Sequence, residues 1–178
     1  MRETIETNRL KLRPLRASDA PRIALFVGDP RVGRNLAMTP IPYFEVTAEG
    51  WLMIMRARVG LKKDFVYGVE LRDEGLIGCI GAHRRGDGGF EVGYWYGRPF
   101  WGRGFATEAL EGLLEQARDL GPLQSGYFED NPASGRVLEK SGFAHTGEVE
   151  LLFSMARGEK ARCRRMRYMG AQACGEAA

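Results

Sequence analysis

Between Phe90 and Leu120 three local signals follow one another without a gap. A run alternating like a strand (Phe90 to Tyr96) meets a loop with glycines two apart (Gly102, Gly104). Then Ala106, Ala109, Leu110, Leu113, Leu114, Ala117 and Leu120 trace one helical face that closes at Asp119-Leu120-Gly121-Pro122. A strand that turns this tightly into a strong amphipathic helix must lay the helix back on a sheet, so the chain needs helix and sheet layers sharing a core. The same turn lets successive backbone N–H groups converge on an anion with the helix dipole behind them, and glycine there permits close approach. A tight turn alone would use the same glycines. No Gly-Lys-Ser/Thr follows, so the loop is not a P-loop, and the three-glycine dinucleotide spacing is missing.

The remaining elements fit around this unit. Thr7 to Leu15 alternates as a half-buried strand. Ser18-Asp19 offers an N-cap to a helix over Ala20 to Val27, and Gly28 to Tyr43 is irregular with one helical turn at most. Thr47 caps a second helix running to Val59. Phe65 to Leu71 and Leu76 to His83 form a hairpin around Asp73-Glu74-Gly75. After the central helix come a strand at Leu123 to Glu129, a short helix at Ala133 to Lys140 ended by Gly142, and a last hairpin of Phe143 to Phe153 with Ala161 to Met169. The order β-α-α-β-β-β-α-β-α-β-β predicts an α+β fold with a mostly antiparallel sheet. Residues 1–170 are expected to form one domain and 171–178 a frayed tail.

Composition narrows the classes. The 178 residues are 44% hydrophobic and 28% charged, which suits one soluble globular domain rather than disorder. A net charge of +3 with interleaved signs does not call for nucleic acid. The basic stretch Arg157 to Arg167 reads as a hairpin edge protected by charge. Three cysteines without a CxxC pair favour a reducing, cytoplasmic setting. Cys79 and His83 lack the second pair a metal site needs, so no metal is expected. The first twenty residues carry no apolar leader, and no window reaches membrane-span length.

The stretch Glu91-Val-Gly-Tyr-Trp-Tyr-Gly-Arg-Pro-Phe-Trp-Gly-Arg-Gly-Phe-Ala-Thr-Glu-Ala-Leu110 resembles the central motif of the GNAT superfamily of N-acetyltransferases, in particular the ribosomal-protein N-terminal acetyltransferase branch. Asn131-Pro-Ala-Ser134-Gly-Arg-Val-Leu138-Glu-Lys140-Ser-Gly142-Phe143 resembles that family's downstream motif, and Thr7-Asn-Arg-Leu-Lys-Leu-Arg-Pro14-Leu its opening strand. The resemblance implies acetyl-CoA as acetyl donor, an amine acceptor, and a twisted sheet in which two parallel strands, Phe90 to Tyr96 and Leu123 to Glu129, splay apart. It implies that Trp95 and Tyr96 pair with the pantetheine amides. The N–H groups of Trp101, Gly102, Arg103, Gly104, Phe105, Ala106 and Thr107 would hold the pyrophosphate, and Asn131 and Ser134 the arm near the thiol. Two positions depart from the family pattern. Aromatic Phe100 and Trp101 stand where a pyrophosphate-supporting polar side chain is usual, leaving Arg98 or Arg103 as substitutes. Leu138 replaces a tyrosine associated with protonating the thiolate.

Acyl transfer to an amine needs a neutral amine, a polarised carbonyl and a proton for the leaving sulfur. An α-amine, with a pKa of about 7.7, asks less of a base than a lysine-like amine at about 10.4. Glu91 is the expected base, with Glu148, Glu150 or a water path as competitors. A backbone N–H near Trp95 or Tyr96 is the expected oxyanion donor, and Ser134 the expected proton relay. A covalent cysteine is not expected. Tyr43 and Trp51 are candidates for the acceptor wall, and most of the aromatic cluster from Tyr94 to Trp101 should be core. The segment Gly28 to Gly60 has more arginines than acids, which disfavours polycationic acceptors and leaves a peptide N-terminus or a small neutral amine. A donor-binding sensor without turnover is the alternative, and a homodimer is left open.

Overall fold

The computed structural model describes residues 1–170. Eight strands form one sheet: β1 (Ile5–Glu6), β2 (Leu10–Arg13), β3 (Asp64–Leu71), β4 (Gly75–Arg84), β5 (Phe90–Tyr96), β6 (Leu123–Phe128), β7 (Phe143–Ser154) and β8 (Glu159–Tyr168). Their spatial order is β1-β2-β3-β4-β5-β6-β8-β7, and β5–β6 is the one parallel pair among the described residues. The helices are α1 (Ala20–Val27), α2 (Pro30–Gly33), α3 (Glu45–Gly60), α4 (Phe105–Gln116) and α5 (Pro132–Lys140). The mixed, mostly antiparallel sheet is therefore as expected. The frayed tail expected at 171–178 lies outside the described residues.

Period-two alternation sends the strands' side chains to two cores. On one face Tyr67, Val69, Ile80, Val92 and Tyr96 pack against Ala109, Leu110, Leu113 and Leu114 of α4. On the other, Val66, Leu76 and Cys79 meet Ile23 of α1 and Ala48 and Leu52 of α3. Arg13 is buried and ion-paired to Asp19 (Nη2–Oδ1 2.8 Å) and Glu70 (Nε–Oε2 2.6 Å), which satisfies a charge that burial would otherwise penalise.

Several boundaries differ from the sequence reading, each for a local reason. The first strand is broken in two because the Thr7 N–H and Oγ1 both bond the Leu10 carbonyl and turn the chain. Helix α3 begins at Glu45, not after Thr47, because the Phe44 carbonyl receives the N–H groups of Thr47 and Ala48. Asp19 does not cap α1 with its side chain. Its carboxylate is taken by Arg13 and by the Arg16 N–H. Helix α4 ends at Gln116, where Ala117 N–H bonds the Leu114 carbonyl instead of continuing the helical ladder, so Leu120 lies past its end.

Candidate acetyl-donor cleft and acceptor chamber

Strands β5 and β6 pair only at Phe90–Leu123 and Glu91–Gln124, then diverge. At the fork, Ser125 Oγ donates to the Val92 carbonyl (2.8 Å) in place of a ladder bond. Which β5 amides face the opening follows from register. Gly97 N–H bonds the Ile77 carbonyl, so its odd-numbered β5 neighbours, paired as Trp95–Cys79, Gly93–Gly81 and Glu91–His83, spend their backbone groups on β4. The even-numbered residues Val92, Tyr94 and Tyr96 point theirs into the cleft. This corrects one expectation: the Trp95 amide faces β4, and Tyr94 joins Tyr96 as the residue with backbone available to a pantetheine arm.

At the mouth of the cleft, Gly102 (φ 73°) and Gly104 (φ 78°) hold left-handed backbone, and Gly104 is the N-cap of α4 with no side-chain cap. A Cβ at Gly102 would meet no atom within 4 Å. The glycines therefore serve the loop's conformation and its openness, not packing. The first helical N–H satisfied within α4 is that of Glu108, to Gly104. The amides of Phe105, Ala106 and Thr107 have no backbone acceptor among the described residues, and they sit at the positive end of a twelve-residue helix. These open amides fit a pyrophosphate. Trp101 is different: its N–H bonds the Arg98 carbonyl and its indole donates to Tyr96 O (2.7 Å), so it braces the loop instead of offering an amide. The Arg103 guanidinium lies over the Phe105 ring, whereas Arg98 leans on Asp29 (3.7 Å). Arg9, which the sequence reading did not single out, braces the loop. It bonds the Arg103 carbonyl (3.0 Å), stacks on Phe105 and is held by Glu108. Burial would raise the Glu108 carboxyl, but hydrogen bonds from Thr7 and Arg9 hold it low.

Across the cleft, Asn131 caps α5 by accepting from Ser134 N–H. Ser134 Oγ lies 2.9 Å from the Tyr94 hydroxyl, which also bonds the Ser134 carbonyl (3.0 Å). Burial pushes the Tyr94 hydroxyl up, and the Ser134 bond only partly offsets it, so it stays protonated. Leu138 is fully buried in the core. The phenol that hydrogen-bonds α5 is Tyr94, supplied from β5.

On the face toward α1 and α3 the cleft opens into a chamber, and the two together form one cavity of about 1360 Å³. Tyr43, Trp51, Ile54 and Met55 line one side. The irregular segment before Tyr43 is pinned to the β7–β8 turn, with Met155 N–H on Ala37 O and Arg157 Nε on Arg34 O. The floor carries Asp64, His83 and Glu91, cross-strand neighbours on β3, β4 and β5, and beside them the facing glycines Gly81 and Gly93. Glu91 Oε2 accepts from Arg165 (2.6 Å) and Arg85 (3.1 Å). Glu148 and Glu150 line a separate polar pocket of about 420 Å³ with Gln124 and Arg85, so neither competes in the large cavity. Cys79 and Cys163 are buried free thiols, and burial pushes both away from ionisation. The basic hairpin spends its charge locally, with Arg157 on Asp130, Arg162 and Arg164 on Glu129, and Arg165 on Glu91. No helix among the described residues is long and apolar enough to cross a membrane.

Known proteins share this fold. The model of the acetyltransferase (GNAT) domain matches residues 9–144. An uncharacterized N-acetyltransferase of Bacillus subtilis (strain 168), YoaA, is 31% identical over 153 residues, 80% of this chain and 84% of that protein. Among solved structures, Mycobacterium smegmatis RimJ in complex with CoA-disulfide superposes with a TM-score of 0.77 at 19% identity, covering 92% of this chain and 87% of that one. The ribosomal-protein-S5-alanine acetyltransferase of Vibrio fischeri superposes at 0.75 and 18%, covering 94% and 97%. With the motif-bearing loop, the forked strands and the family model all coinciding over most of its length, the chain belongs to the GNAT acetyltransferase family, and its chemistry is N-acetyl transfer from acetyl-CoA.

Proposed function

We propose that this enzyme acetylates a primary amine on a peptide N-terminus or a small, mostly apolar molecule by direct attack in a ternary complex in the cytoplasm. The observation that carries the acceptor class is the chamber beside the donor cleft: its walls are aromatic and aliphatic, and its floor mixes Asp64 and Glu91 with His83, Arg58 and Arg165. A polycation would need an acidic chamber, whereas one amine on an apolar body suits this one. The structural likeness to an acetyltransferase of a ribosomal-protein alanine agrees with a peptide acceptor.

Acetyl-CoA supplies the activated acyl carbon when bound. The open amides from Gly102 to Thr107 hold its pyrophosphate, with Arg9 and Arg103 behind them. Tyr94 and Tyr96 offer backbone to the arm, and Asn131 fixes the start of α5 so that Ser134 faces it. An N–H in the forked strand, that of Tyr94, polarises the carbonyl. The Tyr94–Ser134 hydroxyl pair holds a proton close to where the sulfur departs. Glu91 Oε2 is shared by two guanidiniums while Oε1 has no partner among the described residues, so Glu91 draws the acceptor's ammonium into place.

The test is a thermal shift with acetyl-CoA followed by thiol release with α-amine peptides, N-blocked lysine peptides, spermidine and an aminoglycoside. Stabilisation with thiol release restricted to α-amines or small apolar amines is expected. Stabilisation without thiol release from any amine would favour the sensor alternative and overturn the enzymatic reading.

A further inference from the structure

The buried Asp64 and the half-exposed His83 form a pair that the motifs do not contain. Asp64 opens β3 with no solvent exposure, and its cross-strand partner His83 places Nδ1 2.9 Å from Oδ2. The Arg58 guanidinium grips both oxygens of the same carboxylate, and the Arg84 N–H bonds Oδ1 (3.1 Å). Burial would raise this carboxyl, but Arg58 and then His83 hold it down to about 2, so it is ionised and can only accept. Nδ1 must therefore carry the hydrogen, which leaves the lone pair of the neutral ring on Nε2. Nε2 has no protein partner among the described residues, and the ring lines the acceptor chamber. Next along the same face, Gly81 and Gly93 pair across the strands and leave bare floor between the imidazole and the forked strand. A Cβ at Gly93 would meet nothing within 4 Å.

Building on the acetyl-transfer reading above, we propose that His83 is a catalytic residue, the proton acceptor for the amine, with Asp64 as the positioning residue that fixes its tautomer. An N–H bond of the acceptor ammonium breaks and its proton passes to Nε2. The freed nitrogen lone pair forms the bond to the acetyl carbon, the carbon–sulfur bond breaks with its pair going to sulfur, and the second amine proton reaches that sulfur through the Tyr94–Ser134 hydroxyls. His83 then returns its proton to water. The charges facing the ring are Asp64 on β3, Arg58 on α3, Glu91 on β5 and, through Glu91, Arg85 and Arg165. Glu91 thus holds the ammonium beside the group that deprotonates it.

His83→Asn separates the two roles, since an asparagine amide can still donate to Asp64 but has nothing at the Nε2 position. With an α-amine peptide, kcat at pH 7 should fall about 100-fold, acetyl-CoA affinity should stay within about twofold, and the remaining rate should rise with pH as the acceptor ammonium loses its proton to solvent. Ring nitrogen shifts of the donor-free wild type should show neutral His83 protonated at Nδ1, and Asp64→Asn should abolish that preference. A wild-type rate and pH profile in His83→Asn, or a neutral ring protonated at Nε2, would overturn the role of His83 while acetyl transfer stood. Absence of thiol release from the wild type with every amine would overturn both. The ring nitrogen measurement uses unsubstituted protein, so it decides the tautomer even where a variant fails to fold.

Discussion

Gly104→Val tests whether the loop is an anion site or only a turn. At φ 78° a side chain costs about 1–2 kcal/mol. At this chain length each kcal/mol corresponds to roughly 2–4 °C in Tm, so the variant should melt about 2–8 °C lower and remain folded. The Cβ itself lies 3.4 Å from Arg9 Nη2, a flexible contact that can yield, so strain and not collision sets the stability loss. If the loop relieves the strain by turning Gly104 to negative φ, the amides around it swing away from the phosphates. Each charge-assisted bond lost is worth about 1.5–3 kcal/mol, and a decade of affinity is about 1.4 kcal/mol. One lost contact should therefore raise the CoA dissociation constant by about 10- to 100-fold, measured by calorimetry. Acetyl-pantetheine lacks the pyrophosphate, so its affinity should be unchanged in the same variant. Wild-type CoA affinity in folded Gly104→Val, or an equal loss for both ligands, would show that the glycine serves the turn alone.

Three further outcomes are expected. Ser134→Ala should lower kcat by about tenfold, more than it weakens donor binding, and a matching loss in Tyr94→Phe would show that the two hydroxyls act together. Trp51→Ala should raise the acceptor KM several-fold in steady-state assays while CoA binding, read by calorimetry, holds. Because the folded Asp64 carboxyl is depressed to about 2, its contribution to stability is present above the ordinary carboxylate range and fades as pH falls from about 4 toward 2. Urea melts of wild type and Asp64→Asn should therefore converge on acidification, and a gap that stays constant down to pH 2 would refute the linkage.

Much of the donor side was legible because it is local. The glycine pair, the apolar stripe of α4 and the Asn131 cap each depend on residues within a few positions of one another, and their order along the chain carries the forked-strand pattern. What escaped depends on register. Whether Trp95 or Tyr94 turns its amide into the cleft changes with a one-residue shift of β5 against β4, and no composition signal fixes that shift. The acceptor side escaped for a related reason. Asp64 and His83 are nineteen positions apart, and Arg9 and Glu108 ninety-nine, so neither pair can be seen until the sheet assembles. Glu91 was found from its place in a motif, but its two guanidinium partners come from the β4–β5 turn and from β8.

The two-pair contact between β5 and β6 makes the sheet two slabs joined at a fork. One slab holds β1 to β5 and the other β6 to β8, and below the fork Tyr94 on Ser134 and Trp101 on Tyr96 do work that a continuous ladder would otherwise do. A ligand threaded between the slabs completes hydrogen bonds on both margins, as a missing strand would. Donor binding is then also mortar: amide exchange at Tyr94, Tyr96 and Gly126 should slow together when CoA enters.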